Sequence, residues 1–317
     1  AVFGYMSADS DNNNCGTVGR AGCVSVSIVV HRSPAGQLRH ALECLLRSDC
    51  VGYVDVVDNS PDDSLRDVAE SVDAGGRVRY RHVRNRGFGA AHNLAIRDAM
   101  ADGYEYHLVM NADVWWDGDV VGLMAGFMRR RPEAGMSMPR VRYPDGKLQY
   151  ACRLLPTPFD VFAKRFLPEK WIRRRMRRYL LADADHHREF NPPYLLGSFL
   201  FFRMDALRET GLFDERFFMY PEDIDITRRI HKHSKTLFFP DAEIVHEHAA
   251  ASRRSGKMLR IHVANMIRYF NKWGWFADRE RRRFNRMLLE ELPRLAAPKT
   301  EGGEPARPQC RSKQKKL

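Results

Sequence analysis

Residues 106–113 run Tyr-His-Leu-Val-Met-Asn-Ala-Asp, an apolar stretch that ends abruptly in polar groups. Tyr106 to Met110 has the length and composition of a buried strand, and it leads straight into Asn111-Ala112-Asp113. The same arrangement recurs upstream. Val24, Val26, Ile28 and Val30 alternate with Ser25 and Ser27, giving a strand that ends at His31. Leu38, Ala41, Leu42, Leu45 and Leu46 then follow helical spacing. A second apolar run, Tyr53 to Val57, ends in the turn cluster Asp58-Asn59-Ser60-Pro61. A short helix is expected over 63–72, a third strand over 77–83, and another helix on the stripe Ala91, Leu94, Ala95, Ala99. Strands alternating with helices in this way predict an α/β protein with a mainly parallel, Rossmann-like open sheet covered on both faces. Ligands of such sheets bind beyond the carboxyl ends of the strands. His31, Asp58 and Asp113 each stand at such an end.

Downstream, residues 140–188 read as irregular and very basic, with Arg173, Arg174, Arg175, Arg177 and Arg178 clustered. A strand over 194–203 follows, and Phe217 to Tyr220 leads into Pro221-Glu222-Asp223. A helix over 224–233 and a strand over 236–239 come next. Met266, Tyr269, Phe270 and Trp273 mark an amphipathic helix. The expected organisation is a disordered tail over 1–20, one α/β domain over 21–255, amphipathic helices over 256–297 and a disordered basic tail over 298–317.

The chain has 317 residues, of which 44% are hydrophobic, enough to bury a large core. A net charge of +12 favours acidic partners: phosphates, nucleic acid or anionic lipid. The six cysteines show no CxxC pair, so free thiols in a reducing compartment are expected rather than a disulfide frame or a zinc site. No apolar run approaches the ~20 residues a spanning helix needs. Asp9, Asp11 and Asn12 to Asn14 stand where a leader peptide would need an apolar core, so none is expected.

Asp113 could hold a divalent cation that neutralises a departing diphosphate, or it could simply form a turn. Glu222 and Asp223 open a helix; one of them could be a general base, or both could cap the helix. His246 could join a metal or phosphate shell. Its setting, His246-Glu247-His248, is not HExxH, which excludes a zinc-protease reading. Gly87-Phe88-Gly89 opens a helix, but the dinucleotide pattern fails at His92.

Together the segments resemble family-two glycosyltransferases of GT-A fold, particularly bacterial rhamnosyltransferase-like members. The resemblance rests on seven segments in order: Val26 to His31, Val56-Val57-Asp58-Asn59-Ser60, Asn85 to Asn93, Asn111-Ala112-Asp113, Leu196-Gly197-Ser198-Phe199, Tyr220 to Asp225, and Pro240 to His246. It implies an inverting hexosyl transfer from a nucleotide-diphosphate sugar, dependent on Mg²⁺ or Mn²⁺. The donor's base and ribose would lie near Val30, His31 and Asp58, in a pocket shaped by Asn85, Gly87 and Asn93. Asn111, Ala112 and Asp113 occupy the places of the family's DxD metal motif. Asp223 matches the usual catalytic base, with Glu222 beside it, and His246 matches a histidine of the metal or diphosphate shell.

Asn111 departs from the first Asp of DxD and leaves one carboxylate there. Rhamnosyltransferase-like members carry this Asn-x-Asp form, which points to dTDP-rhamnose as donor. The implied acceptor is a glycan or lipid-linked glycan of cell-surface polysaccharide synthesis. The implied location is the cytoplasm, peripherally on the inner face of the plasma membrane. Arg129 to Arg131, the cluster 173–178 and Arg279 to Arg283, with Phe166, Trp171, Trp273, Trp275 and Phe276, would provide contact with an anionic membrane surface. A nucleotidyltransferase is the enzymatic alternative, but it usually carries a Gly-rich loop after its first strand, where this chain has His31-Arg32-Ser33-Pro34. A nucleic-acid-binding protein would explain the charge but not the carboxylates at strand ends, and no nucleic-acid module is present.

Overall fold

A computed structural model describes residues 22–73, 75–247 and 256–295. The expected tails over 1–20 and 298–317, and His248, lie outside the described residues, as does the side chain of Phe166.

The first half alternates as expected: β1 (Val24–Val30), α1 (Ala35–Leu46), β2 (Val51–Asp58), α2 (Arg66–Ser71), β3 (Val78–His82), α3 (Phe88–Ala101) and β4 (Tyr106–Asn111). Then come β5 (Val114–Trp115), α4 (Val120–Arg130), β6 (Ala134–Arg142), β7 (Cys152–Arg153), α5 (Pro158–Phe166), α6 (Glu169–Tyr179), β8 (Tyr194–Leu195), β9 (Phe199–Arg203) and α7 (Met204–Thr210). The chain continues through α8 (Glu222–His233), β10 (Lys235–His246), α9 (Gly256–Trp273) and α10 (Arg279–Leu295).

Eight strands form one sheet in the order β3-β2-β1-β4-β9-β6-β10-β5. The pairings β3·β2, β2·β1, β1·β4 and β6·β10 are parallel, whereas β9 runs antiparallel to both β4 and β6. The carboxyl ends of β1, β2, β4, β6 and β10 therefore share one edge, and the amino end of β9 joins them there. That edge gathers Val30, Asp58, Asn111, His246 and the turn before Phe199.

Three elements depart from the sequence reading. The stretch 140–188 is not irregular: it holds the end of β6, then β7, α5 and α6. β6 gives a weak strand signal because Gly135, Ser137 and Pro139 separate its apolar residues and Arg140 and Arg142 mark its end. β10 reaches from Lys235 to His246, far beyond 236–239; the register with β6 shifts between Phe239 and Glu243, so Pro240 falls where ladder pairing is already broken. The expected strand over 194–203 is two strands separated by Leu196-Gly197-Ser198, and that break forms part of the site.

The helices cover the sheet with apolar faces: α1 buries Leu38, Ala41, Leu42 and Leu45 against it. A fully buried leucine side chain contributes about 1.5–3 kcal/mol. A second, smaller core joins Leu155, Tyr194, Phe217 and Ile224 to Met266, Tyr269 and Phe270 of α9 and Phe284 of α10. Beside it, buried Arg228 of α8 makes a paired contact with Asp278 at 2.6 and 2.7 Å and reaches Glu280 at 2.9 Å. Asp225 accepts from the Trp273 indole at 2.8 Å and from Lys272 at 2.7 Å. The helix that begins with Glu222 is thus fixed by α9 and α10.

Candidate active site

At the end of β4, the Asn111 amide donates to the Ser198 carbonyl at 3.0 Å. The next residue back, Gly197, donates its amide to Asp223 Oδ2 at 2.9 Å. The Asn-x-Asp motif and the acidic start of α8 are therefore joined through two consecutive residues of the β8–β9 turn. Glycine at 197 permits this approach, because a Cβ there would stand 3.2 Å from Asp223 Cβ and 3.3 Å from its Oδ2.

Asp223 is buried yet well supplied with donors. The Tyr194 hydroxyl donates to Oδ2 at 3.0 Å, and the Ile224 amide donates to Oδ1 at 2.8 Å. Burial nevertheless raises its pKa above the ordinary carboxylate range; the donors and the Arg153 charge oppose that rise. Glu222 is also buried, and its Oε2 has no protein partner. Burial first, then the Asp223 charge, raises the Glu222 carboxyl. Two neighbouring acids in a poorly solvated place cannot both ionise easily, so their titrations separate. The better-hydrogen-bonded Asp223 is the member that ionises first.

On the far side of the sheet edge, β10 pairs with β5, placing His246 opposite Val114. His246 Nε2 lies 3.3 Å from Asp113 Oδ1, and its Nδ1 lies 2.8 Å from the Gln149 side-chain oxygen. An acceptor at Nδ1 places the ring proton there and turns the Nε2 lone pair toward the Asp113 carboxylate. Two electron-rich atoms face each other comfortably only with a proton or a cation between them. One carboxylate oxygen and one imidazole nitrogen suit a divalent ion, so these residues fit the metal that the sequence implies. Among the described residues no group of three or more His, Cys, Asp or Glu side chains gathers around a common point. The remaining ligands of such an ion would be diphosphate oxygens and water. A cleft of about 100 Å³ opens beside Asp113, lined also by Gln37, His40 and Trp115.

The donor-binding candidates separate on inspection. Val30 is buried at the end of β1, and His31 is exposed beside it with Nδ1 against the Asn59 carbonyl at 2.8 Å. Asp58 is buried, accepting from the Ser60 amide at 2.7 Å and the Tyr80 hydroxyl at 2.6 Å. Next to it, the Asn59 side-chain oxygen is buried without a protein partner. Ala112 is buried between Asn111 and Asp113. Asn85 accepts from the Gly87 amide at 3.0 Å, shaping a turn. Gly87 has φ +106, and a Cβ on it would meet the Phe218 carbonyl at 2.5 Å; it docks this turn against the segment leading to Glu222. Asn93 requires correction as a donor contact: its amide is occupied by both backbone groups of Phe213, at 2.9 and 3.0 Å, and by Glu215 at 3.1 Å. It is a structural clamp inside α3.

Gln149, Tyr194, Gly197 and Ser198 were given no role by the sequence reading. A signal existed only for Gly197-Ser198, where a glycine interrupts an apolar strand pattern.

The model of the family Glycosyl transferase family 2 matches residues 25–211, more than half of the chain. This span includes Asp58 and Asp113 and stops short of Glu222, Asp223 and His246. An N-acetylglucosaminyl-diphospho-decaprenol L-rhamnosyltransferase of Mycobacterium tuberculosis, found in two strains, is 30% identical over 191 residues. The match covers 56% of this chain and 62% of that protein, so the chain spans less than two thirds of its relative. Among solved structures, the mannosyltransferase PcManGT of Pyrobaculum calidifontis, in complex with GDP-Man and Mn²⁺, aligns with a TM-score of 0.53 at 15% identity. The alignment covers 88% of this chain and 77% of PcManGT. GalNAc-T7 with UDP, GalNAc and Mn²⁺ aligns with a TM-score of 0.53 at 14% identity, over 71% of this chain and 44% of that one. These likenesses give the chain the GT-A fold. The matched segment, the sheet edge it builds and the fold agree, and the chain belongs to glycosyl transferase family 2.

Proposed function

We propose that this chain is an inverting glycosyltransferase, moving a sugar from a nucleoside-diphosphate donor to a hydroxyl of a lipid-linked glycan. The observation that carries this reading is the bridge Asn111–Ser198–Gly197–Asp223, which joins the Asn111-Ala112-Asp113 segment to the buried Asp223 carboxylate at one sheet edge. Asp113 and His246 would hold the divalent ion, and Gln149 fixes the histidine tautomer. When bound, such an ion neutralises the charge that grows on the departing diphosphate.

The acceptor oxygen attacks the anomeric carbon as the bond from that carbon to the diphosphate oxygen breaks. Asp223 takes the hydroxyl proton, so no covalent sugar intermediate is needed and the configuration inverts. The raised carboxyl of Asp223 brings its proton affinity nearer to that demand. Burial and the neighbouring Asp223 charge raise the Glu222 carboxyl and so favour its protonated form, with the charge on Asp223. Asp58 and Asn59 would face the nucleoside.

The Asn111-x-Asp113 form and the mycobacterial relative support rhamnose from dTDP-rhamnose as the transferred sugar. The acceptor in that relative's name, N-acetylglucosaminyl-diphospho-decaprenol, supports a polyprenyl-diphosphate-linked N-acetylglucosamine as acceptor here. No helix among the described residues is long and apolar enough to cross a membrane. The test is incubation with a panel of nucleotide sugars, Mg²⁺ or Mn²⁺, and N-acetylglucosaminyl-diphospho-polyprenol, followed by mass analysis. Addition of one deoxyhexose from dTDP-rhamnose is expected. Transfer of a different sugar would change the donor assignment; no transfer and no metal-dependent nucleotide binding would end the reading.

A further inference from the structure

A second cavity lies away from the sheet edge. It is an open groove of about 690 Å³ between α5, α6 and α10. Phe159, Arg175 and Arg178 line one side, and Phe276 and Arg282 line the other. Phe276 is 76% exposed, Phe159 45% and Trp171 71%, the last being the most exposed aromatic on α6. Trp171, Arg175 and Arg178 follow at i, i+4 and i+7, so they share one helix face and Trp171 lies along the groove rim. Large aromatic rings left in water together are unusual for a surface without a partner.

The charges divide into committed and uncommitted groups. Arg175 is bound to Asp160 at 2.6 Å, Arg286 lies 3.8 Å from Glu290, and Arg281 is buried against backbone carbonyls. Among the described residues Arg173, Arg174, Arg178 and Arg282 have no carboxylate partner, and the Arg282 guanidinium donates to the Phe276 carbonyl at 2.7 Å. Arg129, Arg130 and Arg131 do not line the groove, and Arg131 is paired with Glu189 at 3.1 Å. Trp273 is partly buried against the second core, whereas Trp275, packed on the same core, also lines the groove.

We propose that this groove and its rim form the membrane-contact surface of the protein, seated on anionic phospholipid. Phe159, Trp171 and Phe276 enter the interfacial layer while Arg178 and Arg282 meet lipid phosphates. Charge complementarity selects this occupant: a second copy would bring the same uncommitted arginines against their own kind. A polyanion in water would use the arginines but not three exposed rings. Asn285, on the groove wall, holds both backbone groups of Leu155 at 2.8 and 2.9 Å, and Leu155 shares the second core with Tyr194, the Asp223 donor. A seated groove would therefore hold the base-bearing assembly near the lipid surface.

The experiment is vesicle cosedimentation of the full chain with phosphatidylcholine alone and with phosphatidylcholine–phosphatidylglycerol, at low and high salt. Binding only to the anionic vesicles is expected. The pair Arg178→Glu and Arg282→Glu should lower the partition coefficient by at least roughly tenfold at low salt. The pair Trp171→Ala and Phe276→Ala should remove the part of the binding that survives high salt, whereas Arg130→Glu should do neither. Thermal melting of each variant reports its folding, and all these side chains are exposed enough to change without refolding the core. Absence of anionic-vesicle binding, equal loss in the Arg130 control, or a dimer that the aromatic pair dissociates would each overturn the proposal. So would oligonucleotide binding without vesicle binding. None of these readouts requires sugar transfer.

Discussion

The Gly197 amide donates to Asp223 Oδ2 at 2.9 Å, and a methyl group on Gly197 would stand only 3.3 Å from that same oxygen. Asp223→Asn should lower turnover by roughly 10²-fold to 10⁴-fold, the usual range for a general base, with donor affinity retained. Gly197→Ala should keep the carboxylate but displace it, costing roughly 10-fold to 10²-fold in turnover. Glu222→Gln should cost less than Asp223→Asn. Steady-state kinetics with donor titration separate these outcomes, and a larger loss at Glu222 would exchange the two roles.

The pair Asp113–His246, at 3.3 Å, gives a binding prediction that needs no acceptor. Asp113→Asn should abolish the metal dependence of nucleoside-diphosphate binding measured by calorimetry. Gln149→Leu removes the acceptor that fixes the His246 tautomer and should weaken metal affinity by roughly 10-fold to 100-fold. Unchanged metal dependence in the Asp113 variant would refute the assignment of the site.

A third prediction concerns acid stability. In the core, Ser27 Oγ lies 2.6 Å from His92 Nδ1 and 2.8 Å from His107 Nε2, and Ser25 Oγ lies 2.8 Å from His107 Nδ1. Burial pushes the His107 ring down to about 3 and holds His92 well below its ordinary value. The unfolded chain takes up these protons near pH 6.5, whereas the folded chain takes up that of His107 only near 3. In that window the unfolded state binds more protons, so this contribution is complete above about 6.5 and is lost as pH falls toward 3. The raised carboxyls of Asp55, Glu222 and Asp223 slope the other way. The readout is therefore a difference: denaturant-derived stability of the native chain minus that of His107→Gln should change by up to about 1.4 kcal/mol per pH unit between the two limits. A pH-independent difference would contradict it.

The fourth prediction tests the clamp on α8. Asp278→Ala leaves the Arg228 guanidinium buried with one carboxylate neighbour in place of two and should destabilise the chain by about 3–5 kcal/mol. The double variant Arg228→Met with Asp278→Leu should be less destabilised than the sum of the two single changes, since neither member of the pair is left buried without the other. Urea unfolding of the set decides this, and strict additivity would show that the pair does not act as a unit.

β1, β2 and β4 could be read directly because each ends a largely apolar run in polar residues, and sheet physics sends those ends to one edge. β6 could not, since Gly135, Ser137 and Pro139 are poor strand residues and stand between its apolar ones. The helices within 140–188 were hidden by their charge: α6 carries five arginines, and its apolar contribution is small.

The amino-acid sequence by itself determined the α/β alternation, the resemblance to family-two glycosyltransferases and the candidates Asp58, Asp113, Asp223 and His246, because periodicity and motif order are local properties of a chain. Tertiary structure alone decided their surroundings. Asn93 matched the family pattern, yet its amide is consumed by Phe213, 120 residues away. Gln149 carried no signal, yet it lies 97 residues from His246 and orients that ring. Burial that raises Glu222 and Asp223, and the turn at Gly197 that joins them to Asn111, arise from contacts between distant segments, and no spacing along a chain encodes which distant groups will share a place from which water has been removed.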